Sequence, residues 1–152
     1  MKTIIRYIVC VAALCMAASC TQNNGNIGDF FGAWVLRSMT IDGVEKTFAD
    51  NEYTTLRFQS HIAMFNLFVD EQSQYVSLAT WTDDDSSLLL NFDHSDDNNG
   101  TMQGPYAPPA WLEMPHDDFI RLTITRLDGK HLDLLLNTPE SQTITYNFER
   151  TW

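Results

Sequence analysis

The chain has 152 residues, with 9 basic against 20 acidic side chains and a formal net charge of −11. Such a surface repels phosphate backbones and anionic head groups, so no nucleic-acid partner is expected. A chain of this length can bury most of its apolar surface in one core without disulfides.

The N-terminal segment is the most legible. Lys2 and Arg6 precede an apolar run over 8–17, and the small residues Ala17, Ala18 and Ser19 follow. This is the order of a secretory signal. The run is about half the roughly 20 residues a helix needs to cross a bilayer, so it is not read as a permanent span. The next residue is Cys20, and the small triplet before it resembles the lipobox of bacterial lipoproteins, with Ala17 where that family usually carries Leu. Bulky Val9 and Leu14 precede Cys10 and Cys15 and disfavour them as processing sites. The resemblance implies a lipoprotein signal peptide over 1–19, lipid attachment at Cys20, and a membrane as partner through that lipid. An ordinary cleaved signal on a soluble periplasmic protein is the alternative. Removing the signal takes away Lys2 and Arg6 and leaves the mature net charge near −13. Residues 20–28 are polar and rich in Gly and Asn, and read as a flexible tether.

Residues 29–152 read as one all-β domain. Sustained helical periods are almost absent, while short alternating or wholly apolar runs recur between turn signals. Expected strands are Ala33–Ile41, 44–48, 53–59, Ile62–Val69, 74–81, 87–92, Phe119–Leu127, 131–136 and Thr143–Arg150. Asp42-Gly43 and Asp128-Gly129 each separate extended runs by two residues, as a type I′ hairpin requires. Residues 70–73, 83–86 and 138–141 read as longer polar loops. Hairpins this closely spaced predict an up-and-down antiparallel meander of eight or nine strands, and closure into a barrel of about eight strands would remove its edges. Alternation sets the inward faces: Ile120, Leu122 and Ile124; Leu132, Leu134 and Leu136; Ile144, Tyr146, Phe148 and Arg150. Both faces of Ile62–Val69 are apolar, so its outer face needs cover.

Gly32-Ala33-Trp34, at the start of the first strand, resembles the Gly-x-Trp signature of lipocalins. In that family a basic residue of the last strand stacks over the Trp and helps close the barrel base. The resemblance assigns Arg150 to that role opposite Trp34. From Phe30 to Trp152 the chain is similar to the lipocalin-like domains of small Bacteroidetes lipoproteins, through Leu56-Arg57-Phe58 to a closing Tyr/Phe strand. A generic β-sandwich with Trp34 in its core is the competing architecture.

No chemistry converges on a catalytic site. There is no Gly-x-Ser-x-Gly elbow, no zinc-ligand spacing, no phosphate-binding glycine loop and no mature cysteine nucleophile. His131 and Asp133 share the outward face of one strand and read as a solvated pair. Asp83-Asp84-Asp85 suits a turn, where Asp bonds local amides. Residues 93–100 alternate faintly like a calcium loop, but Tyr106 stands where a bidentate Glu belongs. No enzyme activity, metal or cofactor is therefore expected.

A small closed barrel either fills with its own side chains or holds one small ligand. The first possibility considered is a carrier of an apolar or amphipathic ligand, with Phe58, Trp81, Leu90, Leu122, Leu134 and Tyr146 as binding candidates. The alternative is a filled barrel acting as an interaction or inhibitor module through its acidic loops and the Pro/Trp-rich segment. That segment, 93–118, carries Trp111, Leu112 and Met114 among Pro105, Pro108, Pro109 and Pro115. It reads as a lid over the barrel mouth, a partner-binding rim, or a strap over the outer face of Ile62–Val69, and the need for cover there favours the strap. In Bacteroidetes lipoproteins an acidic run after the lipidated cysteine resembles a surface-export signal. Here the first acidic residue after Cys20 is Asp29, which implies an outer-membrane lipoprotein facing the periplasm. Cys20→Ala is expected to yield soluble or unprocessed protein in cell fractionation; fully processed, membrane-bound protein would overturn lipidation at Cys20.

Overall fold

The computed structural model describes residues 27–93 and 106–151. The signal peptide, Cys20, nearly all of the tether and the 94–100 part of the calcium-like run lie outside the described residues. The strands are β1 (Ala33–Ile41), β2 (Val44–Glu45), β3 (Glu52–Gln59), β4 (Ile62–Val69), β5 (Gln72–Asp83), β6 (Ser87–Asn91), β7 (Phe119–Leu127), β8 (His131–Asn137) and β9 (Thr143–Arg150). β1 and β3 to β9 pair in sequence order, and β9 returns to β1, so eight strands close an antiparallel barrel. β2 is a two-residue flap on β1, shorter than the expected 44–48, although the Lys46 amide still donates to the Met39 carbonyl of β1 at 2.8 Å.

Turn chemistry explains the hairpins. Asp42 and Gly43 both have positive φ, 52° and 80°, as a type I′ turn requires. Asp70 and Glu71 do the same at 52° and 64°, so the expected 70–73 loop is a two-residue turn and β5 starts early. The type I′ expectation at Asp128-Gly129 is incorrect, because neither residue has positive φ. Instead the Asp128 carboxylate accepts the amides of Lys130 (2.7 Å) and His131 (2.8 Å) and builds a three-residue turn. At the β5–β6 turn Asp84 accepts the Ser87 amide at 2.8 Å and hydroxyls from Ser86 and Ser87.

Alternation carries the apolar face inward, with three shifts of phase. Trp34 and Leu36 lie opposite Arg150 and Phe148, whereas Met39 and Ile41 lie opposite Tyr146 and Ile144. A bulge between Leu36 and Ser38 makes the change, inserting one residue so that even and odd positions exchange faces. Similar irregularities lie at Gln74 on β5, opposite Leu67 and Phe68, and at Thr125 on β7. One core cluster results, including Trp34, Met39, Leu56, Phe65, Leu88, Leu122, Leu132 and Tyr146.

The N-terminal 3-10 turn Gly28–Phe30 closes the barrel base. Trp34 is fully buried there, and its Nε1 donates to the Phe30 carbonyl at 2.9 Å. The Arg150 guanidinium lies 4.4 Å from the Trp34 ring centroid, and its Nη2 donates to the Asp29 carbonyl. Phe30 packs on Phe58 (4.9 Å between ring centroids) and Trp81 (5.2 Å), completing an aromatic plug. A guanidinium over an indole contributes roughly 0.5–2 kcal/mol. Arg150→Ala is therefore expected to destabilise the fold by about 1–3 kcal/mol in a urea titration. Glu149→Ala, which loses only an exposed pair with Arg37, should cost under roughly 0.5 kcal/mol; equal losses would mean that the stack does not close the base.

Candidate functional site

The end opposite the base is the mouth, where the hairpin turns at Asp42 and Asp70 and the start of β7 lie. Residues 106–118 run here. The strap expectation is incorrect: Leu112 is fully buried in the core cluster and Met114 is 8% exposed in the same cluster, so their side chains stopper the mouth. The outer face of β4 is shielded instead by its cross-strand neighbours. Met64 lies between Arg57 and Leu78, and Phe68 stacks on Tyr53 with ring centroids 4.6 Å apart and planes at 4°.

The stopper is shaped by a short 3-10 turn, Ala110–Leu112, entered from Pro109 and ended by Glu113 at φ 52°. Prolines pre-set extended backbone on the approach and supply no amide. Three side chains tie the segment down. The Tyr146 hydroxyl donates to the Leu112 carbonyl at 2.8 Å, Lys46 Nζ donates to the Trp111 carbonyl at 3.1 Å and pairs with Glu113 at 2.5 Å, and Ser77 Oγ donates to the Ala107 carbonyl. Burial, and secondarily the charge of Glu113, push the Tyr146 phenol well above its ordinary pKa, so it stays a donor. Lys46 and Tyr75 were not singled out in the sequence. A lone Lys after a turn carries no local signal, and Tyr75 is one aromatic in a run of polar residues.

Among the described residues, the candidate ligand-binding residues lie inside the barrel in the core cluster. Leu90, Leu122 and Tyr146 are 0% exposed and Leu134 is 1%, so no water-sized space touches them beyond a trace. Phe58 and Trp81 belong to the aromatic plug at the base, far from Trp111 at the mouth. These six residues all belong to the one core cluster of the described residues.

An open concavity lies at the rim. A groove of about 470 Å³ is lined by Leu67, Gln74, Tyr75, Val76, Ser77, Ala107, Pro108, Ala110 and Trp111. Tyr75 is 62% exposed, and its ring centroid is 6.2 Å from that of half-buried Trp111. The Trp111 Nε1 is shielded and has no acceptor among the described residues. A second, polar dish of about 330 Å³ lies outside the barrel over Arg37, Arg126, His131, Asp133 and Glu149. Its cations are already paired, Arg37 with Glu149 at 2.7 Å and Arg126 with Asp128 at 2.8 Å, which leaves no spare charge for an anion. Among the described residues no three His, Cys, Asp or Glu side chains group as metal ligands.

With a base closed by Trp34 and Arg150, and an eight-stranded meander around a filled core, the fold is lipocalin-like. Two solved structures share it. A lipocalin-like protein from Bacteroides uniformis superposes with a TM-score of 0.54 at 14% identity, covering 81% of this chain and 99% of the other. An uncharacterized protein from Bacteroides eggerthii gives 0.53 at 15% identity, covering 80% and 98%. No family model and no curated protein matches the sequence. Because Leu112 seals the mouth whereas Tyr75 stands outside it, Leu112→Ala should cost about 2–5 kcal/mol in chemical denaturation. Tyr75→Ala should cost under roughly 0.5 kcal/mol; a near-neutral Leu112→Ala would show that the segment does not stopper the barrel.

Proposed function

We propose that this chain is a membrane-anchored, non-enzymatic lipocalin-like lipoprotein that works as a protein-interaction module through its barrel mouth. The carrying observation is the contrast between a filled interior and an aromatic rim. The interior candidates Leu90, Leu122, Leu134 and Tyr146 touch side chains where a ligand would sit, while Tyr75 and Trp111 border an open groove. Half-exposed aromatics beside proline are the kind of surface that carries interface energy. A second reading, a small apolar or amphipathic ligand held in that groove, is favoured by its Leu67, Val76 and Pro108 lining and by a volume within the range of small-ligand sites.

Anchoring supports the same surface. The described chain begins beside the base, at the turn Gly28–Phe30. A lipid on Cys20 would hold the base toward the membrane and leave the mouth facing water, on the periplasmic side of the outer membrane. The acidic fold would stand off anionic head groups, so the acyl chains alone would hold it there.

A photo-crosslinking residue replacing Tyr75 in intact cells should trap a discrete protein adduct, whereas one replacing the outward, exposed Thr123 should not. External protease should spare the chain until the outer membrane is opened. Saturable one-to-one binding of a fluorescent fatty-acid analogue, unaffected by Tyr75→Ala and Trp111→Ala, would place a ligand inside the barrel and overturn the reading.

A further inference from the structure

The rim groove is built along the edge of a strand. β5 runs for 12 residues and β6 for 5. Their ladder extends from Thr80–Asn91 to Asp83–Leu88. Above Thr80, residues 72–79 of β5 pair with β4 alone among the described residues. One wall of the groove is Gln74, Tyr75, Val76 and Ser77, four consecutive residues. Gln74 is the bulged residue between the Ser73 and Tyr75 pairs with β4, but Tyr75, Val76 and Ser77 alternate in direction, so these three line one groove only where it reaches the strand's edge. The other wall is Ala107, Pro108, Ala110 and Trp111. Proline has no amide with which to continue a ladder, so this wall bounds the edge without completing the sheet. One side-chain bond, Ser77 Oγ to the Ala107 carbonyl, joins the walls at the inner end.

A strand edge between apolar walls is a template for another strand: its backbone groups supply hydrogen bonds and the flanking pockets take alternate side chains. Charge sets the sign of the partner. The whole chain carries −11. Glu71 stands exposed in the turn that opens β5, and the nearby cation, Lys46, is held by Glu113. We infer that the mouth binds an extended segment of a partner protein, neutral to basic and alternately apolar, which adds as a strand to the 74–77 edge of β5 and packs its apolar side chains against Tyr75, Trp111 and Leu67. This rests on the interaction reading proposed above and names the partner's chemistry.

The test uses the full chain and the peptide acetyl-Lys-Val-Thr-Val-Thr-Val-Lys-amide as probe. Binding is expected to slow hydrogen exchange of amides within 72–79 and to weaken as salt rises. Tyr75→Ala should weaken it about tenfold without a loss of stability. An analogue N-methylated at its four central amides keeps every side chain but cannot join a ladder, and should bind at least tenfold more weakly. Equal binding of that analogue, or protection confined to other strands, would overturn strand addition while leaving a mouth interaction standing. Equal binding of a peptide with Glu in place of Lys would overturn the basic-partner assignment. Absence of peptide binding alongside a Tyr75 cross-link in cells would overturn strand addition alone; absence of both would overturn the interaction reading with it.

Discussion

The structure depends on the seam between its first and last strands. Antiparallel pairing of β1 with β9 turns a row of hairpins into a cylinder, and the seam is anchored where Arg150 lies over Trp34. Arg150 also reaches the Asp29 carbonyl, while Trp34 donates to Phe30, so one cation and one indole join both ends of the domain to the base. Opening this seam would expose two strand edges and a fully buried Trp in a single step. The bulge beside Arg37 belongs to the same constraint: without its extra residue, Met39 would face solvent if Trp34 faced the core.

Closure at one end makes the other end the place where the molecule meets its surroundings. Residues 106–118 run over the mouth and lower Leu112 and Met114 into the core, tied by Tyr146 below and Lys46 at the side. The barrel core is therefore built from its own side chains, and an open groove lies at the rim. The groove at the rim is largely apolar on a strongly acidic molecule.

The acidic residues serve local structure. Hydrogen bonds from the Ser87 and Ser86 hydroxyls and the Ser87 amide, with Arg121 beyond them, hold the Asp84 carboxyl well below the usual carboxylate range. The amides of Lys130 and His131, with Arg126 and the His131 ring, do the same for Asp128. Both groups are solvent-facing turn builders that stay ionised through the physiological range. Each spends its charge on neighbouring donors, and neither is aimed at a cavity. His131, which the sequence pairs with outward Asp133, bonds instead to Asp128 at 3.1 Å, because the three-residue turn brings that carboxylate under its ring.

Much of the architecture is written locally. Period-two alternation identifies the inward faces of β7, β8 and β9, because a pleated strand sends successive side chains to opposite sides and only one side is dry. Turn residues place the hairpins, since positive φ selects Gly and Asp at 42–43; the lipocalin-like signature pointed from Trp34 to Arg150, which the fold sets 4.4 Å apart. Other features required the closed barrel. The Asp128 turn depends on a carboxylate choosing amides over a glycine choosing φ. The bulge at Arg37 depends on matching β1 to a strand more than a hundred residues away. Whether Trp111 and Leu112 cover the outside or stopper the mouth was open in the sequence, because both sites are apolar and composition does not distinguish them. The rim groove was invisible for the same reason: it exists only where a five-residue β6 leaves a twelve-residue β5 and Pro108 passes beside the part of β5 that β6 does not pair. Local sequence sets which way a side chain points, and only the packing of distant strands decides what it meets.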